Sequence, residues 1–107
     1  MGTALKNLFS PVRINGLELK NRAVMPPMGT GYVNTDSTVT DRLVAYLARR
    51  AQGGTGLIIT EVAAIDPRGR GFSAEIGIWD DKFIPGLKRI PEAVHEGHRA
   101  GVKIALP

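Results

Sequence analysis

A chain of 107 residues has room for one hydrophobic core and not for two, since domains commonly run to about 100–150 residues. Its hydrophobic share of 43% and charged share of 22% exclude the composition in which chains stay unfolded. The formal charge of +4 comes from 14 Lys and Arg scattered singly or in pairs such as Arg49-Arg50, with no basic stripe, so no nucleic-acid partner is expected.

Val12-Arg13-Ile14 and Leu17-Glu18-Leu19 alternate apolar with polar residues. Asn15-Gly16 between them can take the positive φ angles of a type I′ turn, which predicts a β-hairpin over about 12–19. A first core strand over about 22–25, carried by Ala23-Val24-Met25, is stopped by Pro26-Pro27, which have no amide to give to a ladder. Met28 to Val39 reads as a loop. Thr40-Asp41 then supplies an N-cap and an acidic first turn for a helix over 41–52. Leu43, Val44, Leu47, Ala48 and Ala51 share one face of it, and Gly53-Gly54 offers its stop.

Leu57-Ile58-Ile59-Thr60 is apolar without alternation, as suits a strand over about 57–61 covered on both faces. A loop rich in Pro, Gly and Arg follows from about Ala64 to Gly77. A helical pattern over about 84–100 then turns Leu87, Ile90, Ala93 and Val94 inward, and a third strand occupies about 102–106. Pro91 removes a helical hydrogen bond to Leu87, so a kink or a restart with Pro91 at the first helical position is expected there. After the hairpin the order is strand, helix, strand, helix, strand. That order predicts an α/β protein with parallel strands, and a doubly wound sheet and a (β/α)₈ barrel both begin this way.

Several motifs read as structural. Gly53-Gly54-Thr55-Gly56 follows a helix and opens a strand, the reverse of a phosphate loop, and so stops the helix. His95 and His98 lack a third ligand, and no metal is expected. Arg68-Gly69-Arg70-Gly71 is a single copy in a loop bordering the mouth of the sheet. Glu61 is expected to hydrogen-bond a neighbouring loop, and Trp79 to pack that loop. The absence of cysteine excludes disulfides and a thiolate nucleophile. With no apolar run near ~20 residues, no membrane is expected and a cytoplasmic protein is.

Periodicity leaves the two folds open, but the literal sequence does not. Leu8-Phe9-Ser10-Pro11, Asn21-Arg22, Pro26-Pro27-Met28, Gly56 through Glu61, Gly69-Arg70 and Gly77-Ile78-Trp79-Asp80 resemble the opening of the Old Yellow Enzyme, or NADH:flavin oxidoreductase, family. They do so in the family's order and at about its spacing. Pro26 to Gly31 is most similar to its 2-enoate and dienoyl-CoA reductase branch.

The resemblance implies the hairpin and about two and a half βα units of an incomplete TIM barrel. It further implies FMN at the carboxyl ends of the strands, reduced by NADH or NADPH and reoxidised by an activated alkene that takes hydride from flavin N5. Pro26, Pro27, Met28, Gly29 and Thr30 match the segment whose backbone lies against the isoalloxazine, and Val62 matches a second flavin contact.

Three positions depart from that pattern, one of them the Pro91 already noted within the second helix. Gly29 stands where many relatives carry Cys or Thr near the flavin, leaving Thr30 as the one hydroxyl able to substitute. Pro107 falls where a Gln usually meets the pyrimidine, and it can donate nothing. The resemblance places the residues that grip the substrate carbonyl and the flavin phosphate beyond this stretch. No catalytic residue is therefore expected in the chain, which alone is expected to bind FMN weakly or not at all and to self-associate or pair with a complementary barrel chain.

Overall fold

The hairpin forms from its alternating residues in a computed structural model that describes residues 5–96 and 103–107. β1 (Val12–Ile14) runs antiparallel to β2 (Leu17–Leu19), with Val12 opposite Leu19 and Ile14 opposite Leu17. Asn15 takes a φ of 51°, but Gly16 does not enter the positive region, so the turn is not the type I′ turn that the dipeptide predicts. The Arg13 side chain donates to the Gly16 carbonyl at 3.3 Å, which ties the turn to its own strand. Leu19 is the hairpin residue that reaches the interior.

The remaining elements follow in chain order: β3 (Val24–Met25), α1 (Asp41–Gln52), β4 (Leu57–Ile59), β5 (Ala63–Ala64), β6 (Ile76–Gly77), α2 (Ile84–Glu96) and β7 (Lys103–Ala105). β3, β4 and β7 form one parallel sheet in that order. Met25, Ile58 and Ile104 lie in register across it and face the helices. By the two-residue period of a strand, Val24, Leu57 and Lys103 face the other way. All three strands are shorter than the sequence pattern predicts. β3 begins late because Asn21, just before it, is occupied elsewhere: its side chain donates to the Gly54 carbonyl at 2.7 Å and accepts from the Ala23 amide at 3.0 Å. β3 ends at Pro26 for want of a donor.

Thr40 caps α1, its hydroxyl accepting from the Leu43 amide at 3.1 Å. The same hydroxyl donates to the Tyr32 carbonyl and so draws the preceding loop onto the helix. Leu43, Leu47 and Ala51, spaced by four, are buried. The Gly53 amide closes the last turn on the Arg49 and Arg50 carbonyls, and Gly54 at φ 101° turns the chain out of the helix. On the outer face, Arg42 lies 3.9 Å over the Tyr32 ring and Arg50 lies 3.6 Å over Tyr46, while the two tyrosines meet edge to face. The contacts of Tyr32 with Arg42 and Tyr46 clamp the loop before α1 against its surface.

α2 starts after a 3₁₀ turn, Asp81–Phe83, capped by Asp80, and it runs through Pro91 without the predicted restart. Buried Ile90 and Val94 bracket Pro91 and hold both sides of it in the core against α1. The 97–100 end of the predicted helix and position 102 of the predicted third strand lie outside the described residues. Among the described residues the core joins Leu43, Leu47 and Ala51 of α1 to Ile90 and Val94 of α2, with Ile58 of β4, Ile76 of β6 and Val33 and Val39 of the loop.

The stretch 64–77 is not the plain loop the composition predicts. β5 and β6 pair in parallel, Ala63 with Ile76 and Ala64 with Gly77, around a 3₁₀ turn at Pro67–Gly69 capped by Asp66. Such pairs are too short to leave a periodic trace, and burial of Ala64 and Ile76 holds them.

Candidate functional site

Parallel pairing of β3 with β4 brings the segments that leave both strands to one edge of the sheet. Pro26, Pro27, Met28, Gly29 and Thr30 leave β3 there, and Glu61 and Val62 leave β4 beside them. Pro26 through Gly29 are exposed, while Thr30 and Val62 are half-buried. Two prolines fix φ over half of the exposed stretch. Among the described residues, the amides of Met28 and Gly29 meet no protein acceptor. The result is a stiff run of backbone with two open donors at the strand ends, where ligands bind in parallel α/β proteins.

Glu61 fastens this run. Glu61 is 3% exposed, and its Oε2 accepts from the Thr30 amide at 2.5 Å and from the Thr30 hydroxyl at 2.8 Å. The Thr30 oxygen accepts in turn from the Tyr32 amide at 3.1 Å. Gly31, at φ 74°, makes the bend that lets the chain turn back in this way. Glu61 thus bonds the loop after β3, in keeping with its expected structural role. The hydroxyl proton of Thr30 is directed to Glu61.

Phe72 takes the space beside Gly29. A Cβ on Gly29 would stand 2.8 Å from the Phe72 ring, so the ring covers the glycine backbone. The loop that carries it is tied at both ends: Glu75, buried, accepts from the Gly71 amide at 2.8 Å. Arg70 donates to the Thr35 carbonyl at 2.9 Å. The Gly77 amide donates to the Ser37 carbonyl at 3.0 Å, joining the β5–β6 segment to the loop before α1. Sequence reasoning missed Phe72 and Glu75. The sequence offered an aromatic between Gly71 and Ser73 in a long loop after a strand, where function gathers, but nothing that pointed it at Gly29.

Other predicted features lie apart. Pro107 is exposed just past β7 and offers no donor. Trp79 packs edge to face on Phe83 with ring centroids 4.7 Å apart, steadying the approach to α2. Arg68 pairs with Asp66, and this contact with the Arg68 amide holds the Asp66 carboxyl below its ordinary range. Both side chains are open to water, so the pair adds little stability. An apolar cleft of ≈370 Å³, lined by Thr60, Leu87, Ile90, Pro91, His95 and Ile104 among others, opens on the helix side of the sheet. None of Pro26 to Thr30, nor Val62, lines it. Among the described residues no cluster of His, Asp and Glu could hold a metal ion, and no helix is long and apolar enough to cross a membrane.

The geometry has counterparts in known proteins. A family model described as the NADH:flavin oxidoreductase / NADH oxidase family matches residues 7–106. The NADH oxidase of Thermoanaerobacter brockii is 45% identical over 94 residues, 87% of this chain and 14% of that protein. The NADPH dehydrogenase of Listeria monocytogenes serotype 4a is 40% identical over 103 residues, 94% of this chain and 30% of its own length. The solved old yellow enzyme homologue from Zymomonas mobilis superposes with a TM-score of 0.83 at 34% identity, covering 94% of this chain and 27% of that one. The chain therefore spans under a third of the length of each of these relatives. The structural neighbours are TIM barrels, and the parallel strands and paired helices described here correspond to a part of one. That match decides for the barrel over the doubly wound sheet. The chain belongs to the NADH:flavin oxidoreductase / NADH oxidase family, whose members use FMN with NADH or NADPH as reductant.

Proposed function

We propose that the protein carrying this sequence is a cytoplasmic ene-reductase that passes electrons from NADH or NADPH to an activated alkene, with Pro26, Pro27, Met28, Gly29, Thr30 and Val62 as the wall for FMN. The observation that carries this reading is the exposed, proline-stiffened run after β3 beside Val62, where the Met28 and Gly29 amides meet no acceptor among the described residues. FMN fits such a run: a flat backbone suits the face of a planar ring, and open amides suit its polar edge. When bound, the flavin supplies the hydride chemistry. The chain's own part is to bind and orient. The prolines keep the wall from yielding, Glu61 and Thr30 hold its far end, and the Phe72 ring lies over the side of Gly29 where a Cβ would project.

The relatives named as an NADH oxidase and an NADPH dehydrogenase leave the choice of nicotinamide to measurement. Among the described residues β3 and β7 each pair on one side only, with Val24 and Leu106 half exposed. We read these edges as docking sites for further barrel chain or a second copy. With the barrel completed by further chain or by a complementary copy, the protein should be yellow, release FMN on denaturation, and consume NADPH or NADH faster when a cyclic enone is added. A colourless protein that takes up no added FMN would overturn the reading.

A further inference from the structure

One atom of the wall is left unexplained by that account. Glu61 Oε2 takes both Thr30 donors, while Oε1 is buried and, among the described residues, meets no hydrogen-bond partner. Folding alone gives little reason for this, since an apolar side chain of similar size would fill the space after β4 without burying a carboxyl oxygen that lacks a donor. Groups kept in such a state gather where position matters more than stability. The place is telling. Glu61 precedes Val62 in the chain and its side chain grips Thr30, so a single residue ties the two segments of the proposed flavin wall.

We propose that Glu61 is a positioning residue for FMN: by holding the amide and hydroxyl of Thr30 it sets the distance between the Pro26–Gly29 backbone and Val62, and hence the slot the flavin ring enters. The inference rests on the flavin reading above. It assigns Glu61 no contact with the ring and no proton to transfer. Thr30 serves as the handle because its amide and hydroxyl converge on one oxygen. The bend at Gly31 then carries the chain away toward Tyr32, so that no other bond among the described residues fixes the far end of the wall.

The test compares Glu61→Gln and Glu61→Leu in the protein as encoded, reading FMN affinity and the visible spectrum of the bound flavin. A glutamine carbonyl accepts from both Thr30 donors, whereas leucine accepts from neither. Glu61→Leu should weaken FMN binding about tenfold or more and move the spectrum of the remaining bound flavin toward that of free FMN. Glu61→Gln should restore both. Amide hydrogen exchange on the FMN-free protein adds a readout independent of the flavin: Thr30 should exchange faster in the leucine variant and near the wild-type rate in the glutamine variant.

Should Glu61→Leu fail to fold, Thr30→Val decides, since it keeps the side-chain volume and loses the hydroxyl. It should weaken FMN binding about threefold or more with the same spectral displacement. Wild-type affinity and spectrum in Glu61→Leu or Thr30→Val would overturn the proposal, as would equal losses in Glu61→Gln and Glu61→Leu. A wild-type protein that takes up no FMN would overturn the flavin reading and this inference with it, whereas wild-type binding with indifferent variants would sink the inference alone.

Discussion

Gly56→Ala should destabilise the fold by about 3 kcal/mol, reversing the small gain that a glycine-to-alanine change brings where the backbone allows it. The space for the new methyl is already filled. A Cβ at this position would stand against the side-chain oxygen of Asn21 and 2.8 Å from its carbonyl oxygen. Neither neighbour can give way cheaply. The Asn21 side chain bridges Gly54 and Ala23, and the Gly56 amide donates to the Ala23 carbonyl at 3.0 Å. Asn21 is itself buried, so pushing it aside would strand its amide group without partners. Urea unfolding of the two proteins measures the difference. A loss below about 0.5 kcal/mol would mean that the lock between the starts of β3 and β4 is looser than the contacts imply.

Leu47→Ala should cost about 2–5 kcal/mol, the range for emptying a well-packed leucine site. Leu47 is 1% exposed. It sits on α1 between Leu43 and Ala51, in the cluster that also takes Ile90 and Val94 from α2 and Ile58 from the sheet. Few routes exist for the cavity to close. Ile58 is held in register on both sides by Met25 and Ile104, and Pro91 stiffens the helix opposite. Since whole domains are stable by about 5–15 kcal/mol, this one change should lower the urea midpoint far more than any surface substitution on α1. A loss under about 1 kcal/mol would show that α1 is not seated on the sheet as described.

How much of this could be read beforehand depends on how local each cause is. α1 was legible because every signal for it lies within the helix or beside it: Thr40 for the cap, Leu43, Leu47 and Ala51 at a spacing of four, and Gly53-Gly54 for the stop. The parallel arrangement was legible too, since Leu57-Ile58-Ile59 is apolar on both faces. The strand limits were not, because β3 is trimmed by what Asn21 does with Gly54, 33 residues away. β5 and β6 left no trace, for two-residue strands carry no period, and their pairing depends on burial against residues elsewhere in the chain. Continuity of α2 through Pro91 is likewise decided by partners on α1, not by the proline itself.

The site divides in the same way. That Pro26 to Thr30 and Val62 emerge at one edge follows from strand order. Glu61 could be assigned a loop to bond, but not Thr30 in particular, 31 residues earlier. Phe72 over Gly29 was out of reach. A glycine where the resemblance leads one to expect a side chain reads as a loss until the ring beside it is seen, and that ring comes from a loop with no pattern of its own.

Amide hydrogen exchange with and without FMN puts the central claim to the most direct test. If the run after β3 is the flavin wall, saturating FMN should slow exchange at Met28, Gly29 and Val62 together, while the outer face of α1 keeps its rates. Bound flavin with unchanged exchange at all three, or with protection confined to the cleft between α2 and β7, would contradict the account.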